Sequence, residues 1–349
     1  MSSVAARSRT SEIGKAARYF YGYLTNKLLH TNLQLLYDCN FSCEICDFWK
    51  DKELRQQRLS VEEIDVISDK LAQIGPQIVS IGGGEPLMHP RILDVVRALA
   101  RHHFPVMICN GWYVTPERAR ELFEAGMYEI SVSIDYDNAD KHDKQRGKEG
   151  AFERGLEALK VLHDNRVNPF QRVHMISVIM DDNLDDVERL ILRCREMGIT
   201  YLVTLYSDGR GTKDCRATSL DTSAKLLELK EKYPEFVALR GYIGNFTRAI
   251  EEGGFGPCYA GKNLCNIDSQ GNVSMCIDRK DDCAGNILED DIFEIAGSLR
   301  QMHENNECRA CWTSCRGSLE SLMYFGDRLG NAYDYYQMTK PVRVGRTFS

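Results

Sequence analysis

The sequence predicts an α/β protein in which a partial (β/α)6 barrel of the TIM type precedes a small cysteine-rich domain. Two observations support this fold class. From residue 31 to about residue 234, six short apolar segments alternate with amphipathic helical segments, the pattern of a parallel sheet with right-handed crossovers. After residue 250 the alternation has ended, and seven of the 13 cysteines occur there. We therefore expect an N-terminal tail and helix at 1–30, the barrel at 31–235, and the cysteine-rich domain with a C-terminal tail at 236–349.

The segment 12–30 is predicted to form an amphipathic helix. Its apolar side chains recur at helical spacing on one face, which carries Ile13, Ala17, Phe20, Leu24 and Leu28. We expect this face to pack across one end of the barrel. Because the segment is also basic and rich in tyrosine, contact with a membrane surface or a lipid-like substrate is the alternative.

The barrel prediction depends on six strand segments and on readable helix ends. Ser60 and Glu63 form a capping box, Thr115 precedes a first-turn proline, and Gly198 ends a helix that starts near Leu184. Six units are two fewer than a closed eightfold barrel contains, so we expect one open side. In barrels of this type the chemistry takes place at the carboxyl ends of the strands. The strands are predicted at 33–37, 78–81, 106–109, 130–134, 173–179 and 201–205.

Composition predicts a cytoplasmic protein without a nucleic-acid partner. No run approaches the roughly 18 apolar residues of a membrane span, and the first residues lack the apolar core of a secretory signal. Disulfides do not persist in the reducing cytosol, so the grouped cysteines indicate metal binding. The formal net charge of -7 gives no reason to expect nucleic acid as a partner.

Three cysteines lie close together directly after the first predicted strand. Cys39, Cys43 and Cys46 are spaced Cys-x3-Cys-x2-Cys, so one short loop carries three thiolates. Their mutual repulsion is unfavourable unless an iron-sulfur cluster or another metal absorbs the charge. Three ligands are one too few to complete a [4Fe-4S] cluster. One iron would therefore stay open to bind a substrate or a cofactor.

This loop, followed by the aromatic pair Phe48 and Trp49, resembles the signature of the radical S-adenosylmethionine enzymes. Three further motifs follow in that family's order. The run at 81–86, Ile-Gly-Gly-Gly-Glu-Pro, resembles its Gly-Gly-Glu-Pro element, 131–135 its ribose-binding strand, and 145–147 its Arg-Gly turn. The resemblance covers roughly residues 31 to 210 and implies the same partial (β/α)6 barrel.

The resemblance also implies roles for individual residues. Cys39, Cys43 and Cys46 would bind a [4Fe-4S] cluster whose open iron chelates S-adenosylmethionine. Reductive cleavage of that cofactor would give a 5′-deoxyadenosyl radical, which abstracts a hydrogen atom from the substrate. Glu85 would contact the cofactor's ammonium and Arg146 its carboxylate. The full set of expected cofactor contacts is Gly83, Gly84, Glu85, Ser133, Asp135, Arg146 and Ser177, with Asn183 as a further candidate. For Ser177 and Asn183, ordinary packing and helix capping are the alternatives.

Substrate-binding or proton-accepting groups are expected near the ends of the fifth and sixth strands. The candidates are His174, Tyr206, Asp208 and Arg210, for each of which ordinary structural duty is the alternative. The isolated Cys109, Cys194 and Cys215 are interpreted as packing residues.

The second cysteine group resembles the SPASM or twitch extension of radical enzymes that carry an auxiliary cluster. We expect one auxiliary [4Fe-4S] cluster bound by Cys258, Cys276 and members of the group Cys308, Cys311 and Cys315, with Cys265 as an alternative ligand. A hairpin around 267–274 would bring Cys258 and Cys276 close together. Four cysteines could equally hold zinc. An auxiliary cluster would accept an electron from the substrate radical, which favours net oxidation or bond formation.

The substrate is expected to be a small biosynthetic molecule, with peptide maturation as the alternative and a non-catalytic iron-sulfur or zinc protein as the alternative of another class. Peptide maturases of the family often carry a leader-binding domain of about eighty residues, and only about thirty residues precede the barrel here. The family's chemistry implies a reducing partner such as flavodoxin or ferredoxin.

Overall fold

The computed structural model describes residues 2–207, 221–279, 282–324 and 327–340. Six parallel strands form the barrel wall, each close to its predicted position. The expected partial (β/α)6 barrel is confirmed. The strands are β1 (His30–Leu36), β2 (Ile78–Gly83), β3 (Phe104–Cys109), β4 (Glu129–Ser133), β5 (Arg172–Ile179) and β6 (Thr200–Leu205).

Helices follow the strands as the sequence predicts, and their ends have the expected chemistry. Ser60 and Glu63 make both hydrogen bonds of a capping box, Thr115 caps the helix that begins at Pro116, and Gly198 ends its helix with a positive φ. The barrel helices are α1 (Ser2–Leu24), α2 (Val61–Ile74), α3 (Ile92–Ala100), α4 (Pro116–Glu124), α5 (Ala139–Arg146), α6 (Ala151–Asp164), α7 (Val187–Met197) and α8 (Thr222–Lys232). Short 3-10 helices lie at Leu54–Gln56, Pro86–Met88 and Leu184–Asp186.

The C-terminal segment continues the barrel sheet. It contains α9 (Arg240–Ile243), α10 (Phe246–Glu251), β7 (Leu264–Ile267), β8 (Asn272–Ser274), β9 (Cys283–Asn286), α11 (Ile292–Glu304), α12 (Ser314–Met323) and α13 (Arg328–Thr339). β7 pairs in parallel with β1, and β7 to β9 form an antiparallel meander, so the strand order is β6-β5-β4-β3-β2-β1-β7-β8-β9. The sequence predicted the hairpin but not its addition to β1.

Side chains on the strands alternate between a helix-covered face and the barrel interior. Met175 contacts Cys194 of α7, and a Cβ on Gly155 of α6 would meet Val132 and Ile134. These contacts show that Met175, Val132 and Ile134 lie on the helix-covered face. Residues paired with them on neighbouring strands lie on the same face, so the face of every strand residue follows from the pairing. The intervening positions face the interior. They include Asn32, Gln34, Ser80, Val106, Ile108, Ser131, Ser133, His174, Thr204, Asn266 and Ser274.

The barrel interior is partly exposed along three of its six strands. In β2, β3 and β6 the helix-facing side chains are buried, whereas the interior residues are at least partly exposed. Most interior residues of β1 and β5 are buried. Ile108 is 40% exposed although it lies in a central strand. Barrel interiors of the TIM type are ordinarily filled by bulky aliphatic side chains, so this interior has room for a ligand.

The first helix crosses the amino-terminal end of the barrel, but not through the predicted face. Lys15 donates hydrogen bonds to the carbonyls of Ala100 and His103 at 3.1 Å each, and the Tyr19 ring meets Phe104 edge to face. The predicted apolar face is instead exposed, with Ile13, Phe20 and Leu24 each more than half accessible. The location was right and the packing face was wrong. No helix in the described ranges combines the length and apolar character needed to cross a bilayer.

Candidate active site

The first cysteine loop is held by a bond within the loop, by the segment that follows β3 and by α5. Asp38 accepts a hydrogen bond from the backbone of Cys39 at 3.1 Å, and Asn110 after β3 donates to Asn40 at 2.8 Å. The carbonyl of Gln145 accepts from the backbone of Glu44 at 2.9 Å. The loop is therefore held in place by the protein itself. Its three cysteines are all partly exposed towards the carboxyl ends of the strands.

Two glycines of the motif at 81–86 allow the backbone before this loop to approach β2. A Cβ on Gly83 would stand 2.0 Å from the carbonyl oxygen of Leu36, and one on Gly84 would stand 2.0 Å from that of Asp38. Gly84 N donates to Leu36 O at 2.7 Å. These glycines thus position the cysteine loop, whereas a Cβ on Gly82 would meet no atom within 4 Å. Direct contact of Gly83 and Gly84 with the cofactor stays a prediction.

Glu85 is a buried carboxylate at the end of β2. Its two oxygens accept backbone hydrogen bonds from Leu87 at 3.0 Å and from Asn110 at 2.8 Å. It is 1% exposed, and burial raises the pKa of its carboxyl group to about 7. No cationic side chain in the described residues forms an ion pair with it. A ligand ammonium would relieve this desolvation, so the site suits the predicted contact.

Asp135 and Arg146 form a buried pair beside Cys43. Asp135 Oδ2 lies 2.6 Å from Arg146 Nη2, while Asp135 Oδ1 accepts from the backbone of Val178 at 2.9 Å. The Arg146 guanidinium also interacts with Cys43, and it opposes the rise that burial causes in the pKa of that thiol. Arg146 Nε is buried without a hydrogen-bond partner in the described residues. Arg146 can therefore still bind an anion, and the predicted cofactor contacts of Arg146 and Asp135 stay predictions.

The turn after Arg146 touches the cysteine loop directly. Gly147 has a φ of 61°, and Ser42 donates to its carbonyl at 3.2 Å. A Cβ on Gly147 would stand 2.4 Å from Ser42 Oγ. Glycine is needed here both for the left-handed backbone and for the close approach.

Other predicted cofactor contacts differ in where they lie. Ser133 faces the barrel interior and is partly exposed, as a ribose contact requires. Ser177 faces the helices instead: its hydroxyl donates to the carbonyl of Ile134 and accepts from Tyr201 at 2.8 Å. The expected cofactor contact of Ser177 is therefore wrong, because the strand's two-residue period places it on the far face. Asn183 donates to the carbonyls of Asp135 and Val178 and so joins two strand ends.

Of the four candidate substrate groups, one lies at the site, one lies at the opposite end of the barrel, and two fall outside the described residues. His174 is the third residue of β5, next to Glu129 and Thr200 at the amino-terminal ends of their strands. His174 therefore lies at the opposite end of the barrel from the cysteine loop, where the structural role that was the alternative fits its contacts. Tyr206 follows β6 and packs with Ile45 of the cysteine loop in one apolar group, so it lies at the site. Asp208 and Arg210 lie outside the described residues, as does Cys215. Cys109 and Cys194 are buried core residues, as predicted.

Asn306 joins the parts of the second cysteine group. Its amide donates to the carbonyl of Cys258 at 2.8 Å, and its oxygen accepts from the backbone of Cys308 at 3.1 Å and from Arg279 at 3.1 Å. Arg279 in turn donates its backbone N–H to Cys276. Three predicted ligand segments therefore meet at one partly buried amide. Asn306 was missed because no motif spacing marks it.

A buried ion pair lies against the same group. Arg316 and Glu320 are 2.9 Å apart and are 2% and 1% exposed. Arg316 donates to the carbonyl of Cys311 at 2.5 Å. Burial raises the pKa of the Cys258 thiol, and the positive charge of Arg316 partly offsets that rise. The pair fixes the turn that carries Cys311 and Cys315.

The hydrogen bonds of Asn306 and Arg316 described above do not involve the two remaining cysteines. Cys265 lies on β7 opposite Thr31, with its sulfur 3.5 Å from the Thr31 hydroxyl on the helix-covered face. Cys283 is exposed. Cys265 as an alternative ligand is therefore not supported by its position.

The residues present fit the cofactors that the motifs imply. Three partly exposed thiols share one anchored loop, and burial raises the pKa of the Cys39 thiol to about 12, so bound metal would be needed to stabilise the thiolate. A buried carboxylate without a counterion and an arginine with an unpartnered Nε lie beside that loop, matching the ammonium and carboxylate of a bound amino acid group. Among the described residues, no three His, Cys, Asp or Glu side chains are arranged to hold a single metal ion.

Comparison with known proteins agrees with this site. The Radical SAM superfamily model matches residues 33–194. Mycofactocin maturase MftC of Mycolicibacterium smegmatis is 27% identical over 315 residues, covering 84% of this chain and 78% of its own. AdoMet-dependent heme synthase of Methanosarcina barkeri is 27% identical over 301 residues, covering 79% and 85%.

Solved structures share the fold at low identity. Native anSMEcpe with bound AdoMet aligns with a TM-score of 0.63 and 15% identity over 88% of this chain and 95% of that one. Streptococcus suis SuiB bound to precursor peptide SuiA aligns with a TM-score of 0.61 and 16% identity, covering 80% and 68%. Residues 33–194 of this chain therefore form a Radical SAM domain. The chain is an enzyme that uses a [4Fe-4S] cluster and S-adenosylmethionine.

Proposed function

We propose that this enzyme uses the pocket between Cys39, Glu85 and Arg146 to hold S-adenosylmethionine for reductive cleavage. The observation that carries the proposal is the three-cysteine loop beside a buried, uncompensated carboxylate. Cluster and cofactor, when bound, supply a 5′-deoxyadenosyl radical that abstracts a hydrogen atom from the substrate. The protein's part is to anchor the loop through Asp38 and Asn40 and to orient the cofactor through Glu85 and Arg146.

An auxiliary [4Fe-4S] cluster is proposed at the second cysteine group. Its ligands would come from Cys258, Cys276, Cys308, Cys311 and Cys315. The hydrogen bonds of Asn306 support this set, because they gather three of its segments. Such a centre would accept an electron from the substrate, giving net oxidation or bond formation. Zinc in the same cysteines remains the competing occupant.

The substrate is either a small biosynthetic molecule or a peptide. One relative is named as a maturase and another as a heme synthase, so the relatives' names support both possibilities. We place the enzyme in the cytoplasm, supplied with electrons by a partner such as flavodoxin or ferredoxin.

Peripheral membrane contact through α1 is also proposed. Its support is the exposed apolar face that carries Ile13 and Phe20, beside the basic side chain of Arg18. Binding of the protein to anionic vesicles, and its loss in Phe20→Glu, would test this contact.

Iron content and product formation test the proposed reaction. Protein purified without oxygen should carry roughly eight irons for two clusters, and with dithionite and S-adenosylmethionine it should form 5′-deoxyadenosine. Cys43→Ala should abolish that product, whereas Cys276→Ala should lose the auxiliary iron and keep uncoupled cleavage. Cys283→Ala is the matched control and should change neither. Colourless protein that holds only zinc would refute the radical reaction, and equal loss in both ligand variants would refute two separate centres.

A further inference from the structure

Two interior side chains of β1 carry buried polar atoms without partners. Asn32 is 9% exposed and Gln34 is 3% exposed. Asn32 Nδ2, a donor, and Gln34 Oε1, an acceptor, make no hydrogen bond to any described residue. Leaving such atoms unpaired costs free energy, so their retention indicates a ligand that supplies both missing partners.

A chain of hydrogen bonds fixes which atom of Gln34 is free. The carbonyl of Cys276 can only accept, so the Ser274 hydroxyl must donate to it, at 3.1 Å. Ser274 Oγ then accepts from Asn266 Nδ2 at 3.2 Å, and Asn266 Oδ1 accepts from Gln34 Nε2 at 3.2 Å. Each amide orientation follows from the one before. Gln34 must therefore present its oxygen to the interior.

Asn32 lies two residues before Gln34 on the same strand and faces the same side of the sheet. Its amide Nδ2 has no hydrogen-bond partner in the described residues, so this N–H2 group is left for the interior. One strand thus offers a donor and an acceptor two residues apart, about 6–7 Å between Cα atoms.

The neighbouring interior positions on β2 and β3 are partly exposed. Ser80, which pairs with Asn32 across the sheet, is only partly buried, as is Val106 beyond it. Asn266 and Ser274, on the other side, are uncharged. A charged ligand group would find no counterion among these four neighbours, whereas a neutral group would be well accommodated.

We propose that Asn32 and Gln34 recognise a backbone amide of a peptide substrate, which makes the proposed enzyme a peptide-modifying one. A secondary amide carries its acceptor and its donor on separate atoms, matching two protein groups on different residues. A single hydroxyl would have to serve both from one atom. Asn266 and Ser274 are positioning residues that set the orientation of Gln34. This inference rests on the proposed radical reaction.

The substrate class is tested with two deuterated pools from cells grown in heavy water. One is a tryptic digest of their protein, and the other is a metabolite extract freed of peptides. Each is incubated with the reconstituted enzyme, dithionite and unlabelled S-adenosylmethionine, and the 5′-deoxyadenosine formed is analysed for deuterium. Deuterium from the peptide pool is the expected result. Unlabelled product with the peptide pool, or label from the metabolite pool alone, overturns the inference but leaves the radical reaction intact. Absence of 5′-deoxyadenosine refutes both.

Isosteric variants test the polarity of the pair. Gln34→Met removes the acceptor, and Asn32→Asp replaces the donor with an acceptor, so each should lower kcat/KM for deuterium transfer at least fivefold, chiefly by raising KM. Gln301→Met on the exposed side of α11 is the matched control.

Two outcomes with these variants would overturn the assignment. One is parental KM in Gln34→Met. The other is parental KM in Asn32→Asp, in which no N–H2 group remains at that position. Iron content and circular dichroism of each variant report whether a loss reflects misfolding.

Discussion

Glu85→Gln tests whether a single buried charge holds the cofactor. The change keeps the shape of the side chain and removes its negative charge. A hydrogen bond to a charged group contributes about 1.5–3 kcal/mol, so we expect the Kd for S-adenosylmethionine to rise by a factor of about 10 to 150. The measurement is equilibrium dialysis of the reconstituted, oxidised protein with labelled cofactor.

The pH dependence gives an independent reading of the same residue. Burial raises the pKa of Glu85 from 4.5 to about 7 in the folded chain. A carboxyl group whose pKa is raised by folding contributes stability below the unfolded pKa and loses it as pH rises through the folded one. The shift corresponds to about 3 kcal/mol of stability lost between about pH 4.5 and 7. The Gln variant should not show this loss in urea unfolding, because it does not titrate.

Cofactor binding should follow the opposite trend. The ammonium is bound by the carboxylate, so affinity should increase with pH and level off above about pH 7, and Glu85→Gln should flatten this profile. The exposed Glu251→Gln is the control for a charge change alone. A Gln variant with Kd within twofold of the parent and an unchanged pH profile would refute the role of Glu85.

Three other substitutions examine the supports of the site. Gly147→Ala forces a Cβ to within 2.4 Å of Ser42 Oγ at a φ of 61°. It should lower the free energy of unfolding in urea by at least about 1 kcal/mol and lower the iron bound at the first cluster. Full iron with parental stability would contradict this. Asn306→Ala should leave roughly four of eight irons while 5′-deoxyadenosine still forms; retention of all the iron would show that Asn306 does not assemble the second group. Ser177→Ala removes the acceptor of the Tyr201 hydroxyl and should lower the free energy of unfolding by about 1–3 kcal/mol. The Kd for S-adenosylmethionine should not change. A higher Kd would show that Ser177 does contact the cofactor.

The barrel was predictable because its strands and helices have different hydrophobic periods. All six strands lie where the alternation of 31–234 placed them, and the capping box at Ser60 and Glu63 marked a true helix start. α1 was harder: the periodicity identified a helix, but Lys15 and Tyr19 pack where apolar residues were expected. A long lysine can bury its stem while its ammonium binds carbonyls, which hydropathy does not register.

The site residues that the sequence misplaced, Ser177 and His174, depend on where each residue lies in its strand. Ser177 and His174 belong to the predicted fifth strand, but the period of two sets the face of each residue, and position along the strand sets its end of the barrel. Ser177 is on the helix-covered face and His174 near the amino-terminal end. Neither property follows from residue type.

The sequence by itself determined the cluster loop, the glycine motif and the order of the barrel units, because ligand spacing and local periodicity act over short stretches of chain. Only the tertiary structure decided that β7 joins β1, that Asn306 gathers the second cysteine group, and that Gln34 presents an oxygen to the interior. Each of these depends on groups far apart in sequence, and the orientation of a buried amide is fixed only when every hydrogen bond leading to it is in place.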